Sequence, residues 1–167
     1  QTIVNEAQSL FEKGYREGLG PDLSKPLQVI SAEQRGIYPR FWVQDAQGDQ
    51  YLLEFDPLGS LELVTGAEII ASRFYYALGY TVPQFTLLSV KPEQLQVAPD
   101  ATTWEDTGFK KALSQKRFQE YLMVLPQDKA GLYRASTCKI MKGDRRGIFS
   151  FESRRKDDPL DLVNHRD

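Results

Sequence analysis

Residues 51–83 read YLLEFDPLGSLELVTGAEIIASRFYYALGYTVP, and this stretch decides the fold class. Tyr51-Leu52-Leu53-Glu54-Phe55 has the length and side-chain alternation of a strand, placing Tyr51, Leu53 and Phe55 on one face and Leu52 and Glu54 on the other. Asp56-Pro57-Leu58-Gly59-Ser60 is a loop. Beyond it Leu63, Ala67, Ile70, Ala71, Phe74 and Leu78 recur at three- and four-residue steps, which predicts a helix over residues 62–78. Its apolar stripe is expected to pack on the sheet. Gly79 ends the helix, with Pro83 just beyond.

Outward from this stretch the same signals repeat. Leu27-Gln28-Val29-Ile30 and Phe41-Trp42-Val43 read as strands, separated by a turn at Gly36 and Pro39. Asp45-Ala46-Gln47-Gly48-Asp49 is a hairpin turn with glycine where a positive φ is wanted. Phe85 to Val90 is a fourth strand, and residues 91–112 read as a polar, irregular surface excursion. A second helix starts at Ser114, with Leu113 and Phe118 at staple positions and Phe118, Tyr121, Leu122 and Leu125 on one face, and stops at Pro126. Leu132 to Met141 and Ile148 to Phe151 complete the strands. An N-terminal helix is expected within Thr2 to Arg16. The fold class is therefore α+β: an antiparallel five- to six-stranded sheet with a long helix packed on one face. Residues 1–26 form a leading helix and loop, 27–152 the sheet-bearing lobe, and 153–167 a charged linker.

Composition removes several functions. The chain has 167 residues, 41% of them hydrophobic, enough for one packed domain. Lys and Arg number 21 against 23 Asp and Glu, a formal charge of -2. General nucleic-acid binding needs a strong positive field, which this balance lacks. The longest apolar run, Ile69 to Tyr80, is interrupted by Arg73 and is too short for a membrane span. A single Cys138 excludes an internal disulfide, and a single His165 excludes a histidine metal cluster. Cys138, in mid-strand, reads as a small buried hydrophobe. The first residue is Gln1 rather than Met, as a removed signal peptide or an arbitrary start would give.

The blocks Tyr51-Leu52-Leu53-Glu54-Phe55-Asp56-Pro57, Glu62-Leu63-Val64-Thr65-Gly66-Ala67-Glu68 and Ala77-Leu78-Gly79-Tyr80-Thr81-Val82-Pro83 resemble the N-terminal lobe of HipA-like kinases. They resemble more closely a bacterial, often exported, group with that kinase-like architecture. Weaker likeness extends over about residues 15 to 164, including Tyr133-Arg134-Ala135-Ser136 and Asp157-Asp158-Pro159-Leu160-Asp161. The resemblance implies a lobe whose third-strand lysine meets nucleotide phosphates while a helix glutamate orients it. That glutamate falls on Glu68, but the lysine position holds Glu54. It also implies Mg-ATP as the intact parent's cofactor, a second lobe or another protein chain as partner, and export.

Glu54 facing Glu68 replaces attraction by repulsion and gives a polyphosphate the wrong sign. The resemblance also implies that the family's catalytic Asp and metal-binding residues sit in the second lobe, so for this chain the expectation is no cofactor, no metal and no catalytic residue. Glu54, Glu68 and Lys139 are the candidate cofactor-binding positions. Plainer readings stand beside these. Thr65 and Glu68 have capping-box spacing, and Glu54 could be a charge blunting an edge strand. Lys139, Lys142, Arg145 and Arg146 cluster at a turn that is ordinarily solvated. His165-Arg166-Asp167 spells the start of a kinase catalytic loop but lacks the following Asn and the helical lobe, so it reads as a decoy. Three functions remain: the strand-rich lobe of a kinase-like protein with a degenerate nucleotide site, a non-catalytic interaction module, and a hydrolase using the two carboxylates.

Overall fold

The computed structural model describes residues 20–34, 38–104 and 109–141. The expected N-terminal helix, the strand at Ile148 to Phe151, the cations from Lys142 to Arg146 and the His165 tripeptide lie outside them. Among the described residues seven strands form one open sheet: β1 (Leu27–Glu33), β2 (Arg40–Gln44), β3 (Gln50–Phe55), β4 (Phe85–Val90), β5 (Leu95–Trp104), β6 (Lys110–Ala112) and β7 (Tyr133–Lys139). Their order across the sheet is β4-β7-β3-β2-β1-β5-β6. Among the described residues two α-helices, α1 (Leu63–Ala77) and α2 (Gln115–Met123), accompany the sheet in an α+β fold.

The meander β1-β2-β3 forms as its sequence predicts. Asp45 Oδ1 accepts from the amides of Gln47 and Asp49, both at 2.9 Å, and Gly48 takes a φ of 83°. Two expectations are corrected. The sheet is mixed rather than antiparallel, because β5 runs parallel to β1. Residues 95–104 and 110–112 are strands rather than an irregular excursion, which raises the count among the described residues from five to seven. Pro99 and Asp100 in β5 disguise it, and the structure absorbs them where the register slips. Val29 pairs with Val97, but Ser31 pairs with Thr102. Proline is tolerated in a strand at such an irregularity.

The core lies between the sheet and α2. Val29, Phe41, Val43, Leu53 and Phe55 point to this face and are at most 1% exposed, as is Phe118 of α2. Phe41 meets Phe55 and Phe118 with ring centroids 5.2 Å apart in each case. Burying each such side chain contributes about 1.5–3 kcal/mol. Thr103 and Tyr121 share a buried hydroxyl hydrogen bond of 2.8 Å. Ser114 caps α2 by accepting from the Arg117 amide at 3.1 Å, and Leu113 and Phe118 are both buried, as the staple spacing predicts.

Helix α1 lies on the opposite face, against β7, β4 and β3. Its orientation reverses the sequence expectation. Thr65 and Ser72 are its buried residues, whereas Leu63, Ile70, Phe74 and Leu78 are 58–67% exposed. The sheet surface beneath carries Glu54, Arg134 and Ser136, so the polar stripe of α1 turns toward polar partners and the apolar stripe faces outward. Its C-terminus closes as predicted: Gly79 (φ 87°) donates to the Tyr76 carbonyl and Tyr80 to the Tyr75 carbonyl.

Candidate functional site

The site grows from the hairpin register. The β2–β3 turn is centred on Gln47, so Gln44 pairs with Gln50 and, four residues farther along each strand, Arg40 with Glu54. On the other side of β3, Glu54 pairs with Ser136 of β7. Cross-strand partners share a face, so Arg40, Glu54 and Ser136 stand side by side beneath α1. Glu54 is 7% exposed, in a strand with neighbours on both sides, which removes the edge-strand reading. Arg40 Nε lies 3.1 Å from Glu54 Oε1. Ser136 Oγ beside it is fully buried, with no hydrogen-bond partner among the described residues.

Glu68 comes from α1 to the same place. Burial raises its pKa first, the negative charge of Glu54 raises it further, and Arg40 opposes the shift. The Glu54 pKa is also raised by burial, again opposed by Arg40. Cys138, two residues beyond Ser136 on the same face of β7, registers both acids. Burial and then the charges of Glu54 and Glu68 push its thiol up to about 11. Two carboxylates, a thiol, a hydroxyl and one guanidinium therefore converge. The three charged groups sum to minus one when ionised, a field that repels a polyphosphate and favours a proton or a cation.

A second polar group fixes the start of α1. Asp56 Oδ1 accepts from the amides of Val64 and Thr65, and its Oδ2 accepts from Thr65 Oγ1, each at 2.9 Å. Arg134 Nε donates to Thr65 Oγ1 at 3.1 Å, and Nη1 donates to Glu62 Oε1 at 2.8 Å. Glu62 precedes the helix at a φ of 71°, a left-handed conformation costly for a side-chain-bearing residue. Asp56, brought from the β3 exit, thus supplies the cap. Thr65 is inside the helix rather than at its N-cap, so the capping box expected of Thr65 and Glu68 does not form.

The structure brings Glu54 and Glu68 together but separates Lys139 from them. Lys139 pairs with Tyr51 in register, stands on the α2 side of the sheet, and is held by Asp49. Arg40, Ser136, Asp56 and Arg134 were not among the predicted site residues. Counting outward from Gln47 would have found Arg40. Asp56 and Arg134 depend on long-range placement that no local pattern carries. Among the described residues no three or more His, Cys, Asp or Glu side chains are grouped to hold a metal ion. No described helix is long and apolar enough to cross a membrane. Comparison with protein-family models, with curated proteins and with solved structures finds no match to this chain.

Proposed function

We propose that the chain is the strand-rich lobe of a HipA-like, kinase-like protein whose nucleotide site is degenerate and which transfers no phosphate by itself. The observation that carries this reading is the Arg40–Glu54 ion pair set against Glu68 beneath α1. A kinase-like lobe needs a lysine at position 54 to meet nucleotide phosphates and a glutamate at 68 to orient it. Here the strand position is acidic, and the nearby cation, Arg40, is engaged by that acid. Lys139, on the far side of the sheet, offers no replacement. The lobe keeps its helix and sheet while its phosphate contact is lost.

A second reading, a non-catalytic interaction module on the same scaffold, is favoured by the outward apolar stripe of α1. The two readings share the absence of phosphate recognition. The hydrolase alternative gains nothing specific, because Arg40 neutralises one of the two carboxylates it would use.

Calorimetry with Mg-ATP tests the proposal on the chain and on its Glu54→Lys variant. A charge-assisted contact is worth about 1.5–3 kcal/mol, so the variant should bind about tenfold to 150-fold more tightly than the parent. Micromolar binding by the Glu54 form would overturn the proposal. Equal, weak binding by both forms would show that position 54 is not the determinant.

A further inference from the structure

Glu54, Glu68 and Ser136 bring together oxygens whose hydrogen-bonding capacity the described residues leave unfilled. Thr65 is held against β7 by Arg134, and Glu68 stands about 4.5 Å farther along α1. Ser136 lies two residues beyond Arg134 on the same face of β7, about 6.7 Å away. Glu68 interacts through charge with Glu54, the cross-strand neighbour of Ser136, and with Cys138, which places it over Ser136. The Ser136 hydroxyl is fully buried and has no hydrogen-bond partner among the described residues. Charge alone, without a hydrogen bond, links Glu68 to Glu54 and Arg40. Buried polar groups of native proteins find partners, and a donor set between the hydroxyl and the two carboxylates completes this group.

Charge and surroundings specify the donor. Glu54, Glu68 and Arg40 leave a net negative charge when ionised, so the donor is a cation. Glu33, the register partner of Arg40 on β1, lies one strand farther off and adds to that attraction. Among the described residues no three His, Cys, Asp or Glu side chains are grouped for a metal ion. A primary ammonium carries three N–H donors, one for each of Glu54, Glu68 and Ser136. Beside the acids the same face of the sheet is apolar. Leu52 and Trp42 pair across β3 and β2, and both are half-buried. Helix α1 lies against β7, β4 and β3, so Trp42 and Arg40 on β2 stand at its margin. The Arg40 side chain is 41% exposed there, and the Glu54 side chain behind it 9%. A slender chain entering from that margin meets apolar side chains first and carboxylates at its end, the arrangement that suits a methylene stem with a charged head.

We propose that this site binds a primary alkylammonium group, its nitrogen held by Glu54, Glu68 and Ser136 and its methylene stem lying along Leu52 and Trp42. A lysine side chain of another protein and a small free amine share this chemistry. The inference rests on the arrangement of the site and is independent of the kinase-like reading.

The test is titration of the full chain with n-butylamine and with Nα-acetyl-lysine N-methylamide at neutral pH and constant ionic strength, followed by NMR of the Trp42 indole and the Glu68 carboxyl. Saturable, millimolar binding is expected, with a fall in the Glu68 pKa because an adjacent cation favours the carboxylate. n-Butyltrimethylammonium has the same charge but no N–H donor, and it should bind at least about tenfold more weakly. Glu68→Gln should weaken n-butylamine at least about tenfold, and Ser136→Ala about two- to tenfold. Circular dichroism with thermal unfolding verifies that each variant folds. Tighter binding of the lysine derivative than of n-butylamine supports the proposal with a protein lysine as the source; the reverse order supports it with a free amine. An absence of saturable change at Trp42 and Glu68 would overturn the proposal. So would an equal response to the trimethylammonium probe, binding indifferent to Glu68→Gln, or displacement of n-butylamine by millimolar Mg²⁺ or Ca²⁺.

Discussion

Replacing Asp56 with Ala should loosen the whole of α1. The carboxylate is 1% exposed and accepts three hydrogen bonds, from two amides and one hydroxyl of the helix start. Losing a helix cap costs about 0.5–2 kcal/mol, and stranding buried donors costs about 1–3 kcal/mol. These effects overlap, and Arg134 retains Glu62, so the expected loss is about 3 kcal/mol. For a chain of this length that is a fall of about 6–12 °C in Tm. Asp56→Asn keeps an acceptor for the amides and loses the charge, so it should cost less than half as much. Urea unfolding followed by circular dichroism gives both values. A loss below about 1 kcal/mol in Asp56→Ala, with the slope of the transition unchanged, would refute the assignment of Asp56 as the anchor of α1.

Cys138 should label slowly in the native protein. With its thiol pKa near 11, about one molecule in a thousand carries the thiolate at pH 8, and burial restricts access further. Ellman's reagent should react at least a hundredfold faster in urea than in buffer, and rapid native labelling would contradict this. The acid pair predicts a pH dependence of stability. Glu54 and Glu68 have raised folded-state pKa values, so the folded protein holds protons that the unfolded chain releases from about pH 4.5 upward. Their favourable contribution is complete below the unfolded values and is lost as pH rises through the folded ones. Glu68→Gln should therefore gain stability relative to the parent as pH rises from about 4 to 7, and a constant difference across that range would refute the linkage.

The legible part of the fold was the part governed by local chemistry. Alternation in Tyr51 to Phe55, the Asp45–Gly48 turn, Ser114 and Gly79 each fix a short segment without help from elsewhere. The orientation of α1 was not legible, because an apolar stripe identifies a helix without saying which neighbour covers it. The outcome was set by Asp56 at the β3 exit and Arg134 on β7, distant in sequence from each other, which hold Thr65 against the sheet. β5 was hidden by Pro99, and its parallel pairing with β1 requires a crossover that no turn signal announces. At the site, strand alternation placed Glu54 on the face of Glu68. Lys139 failed by the same parity rule, being an odd number of residues from Ser136 along β7.

The convergence of Glu54 and Glu68 beneath α1 is most directly tested by carboxyl-detected NMR titration of Glu68 in the parent chain and in Glu54→Gln. The Glu68 pKa should lie above the usual glutamate value in the parent and fall when the charge at position 54 is removed. Burial keeps it from returning fully to the unperturbed value. A Glu68 titration that is the same in both proteins would contradict the shared site.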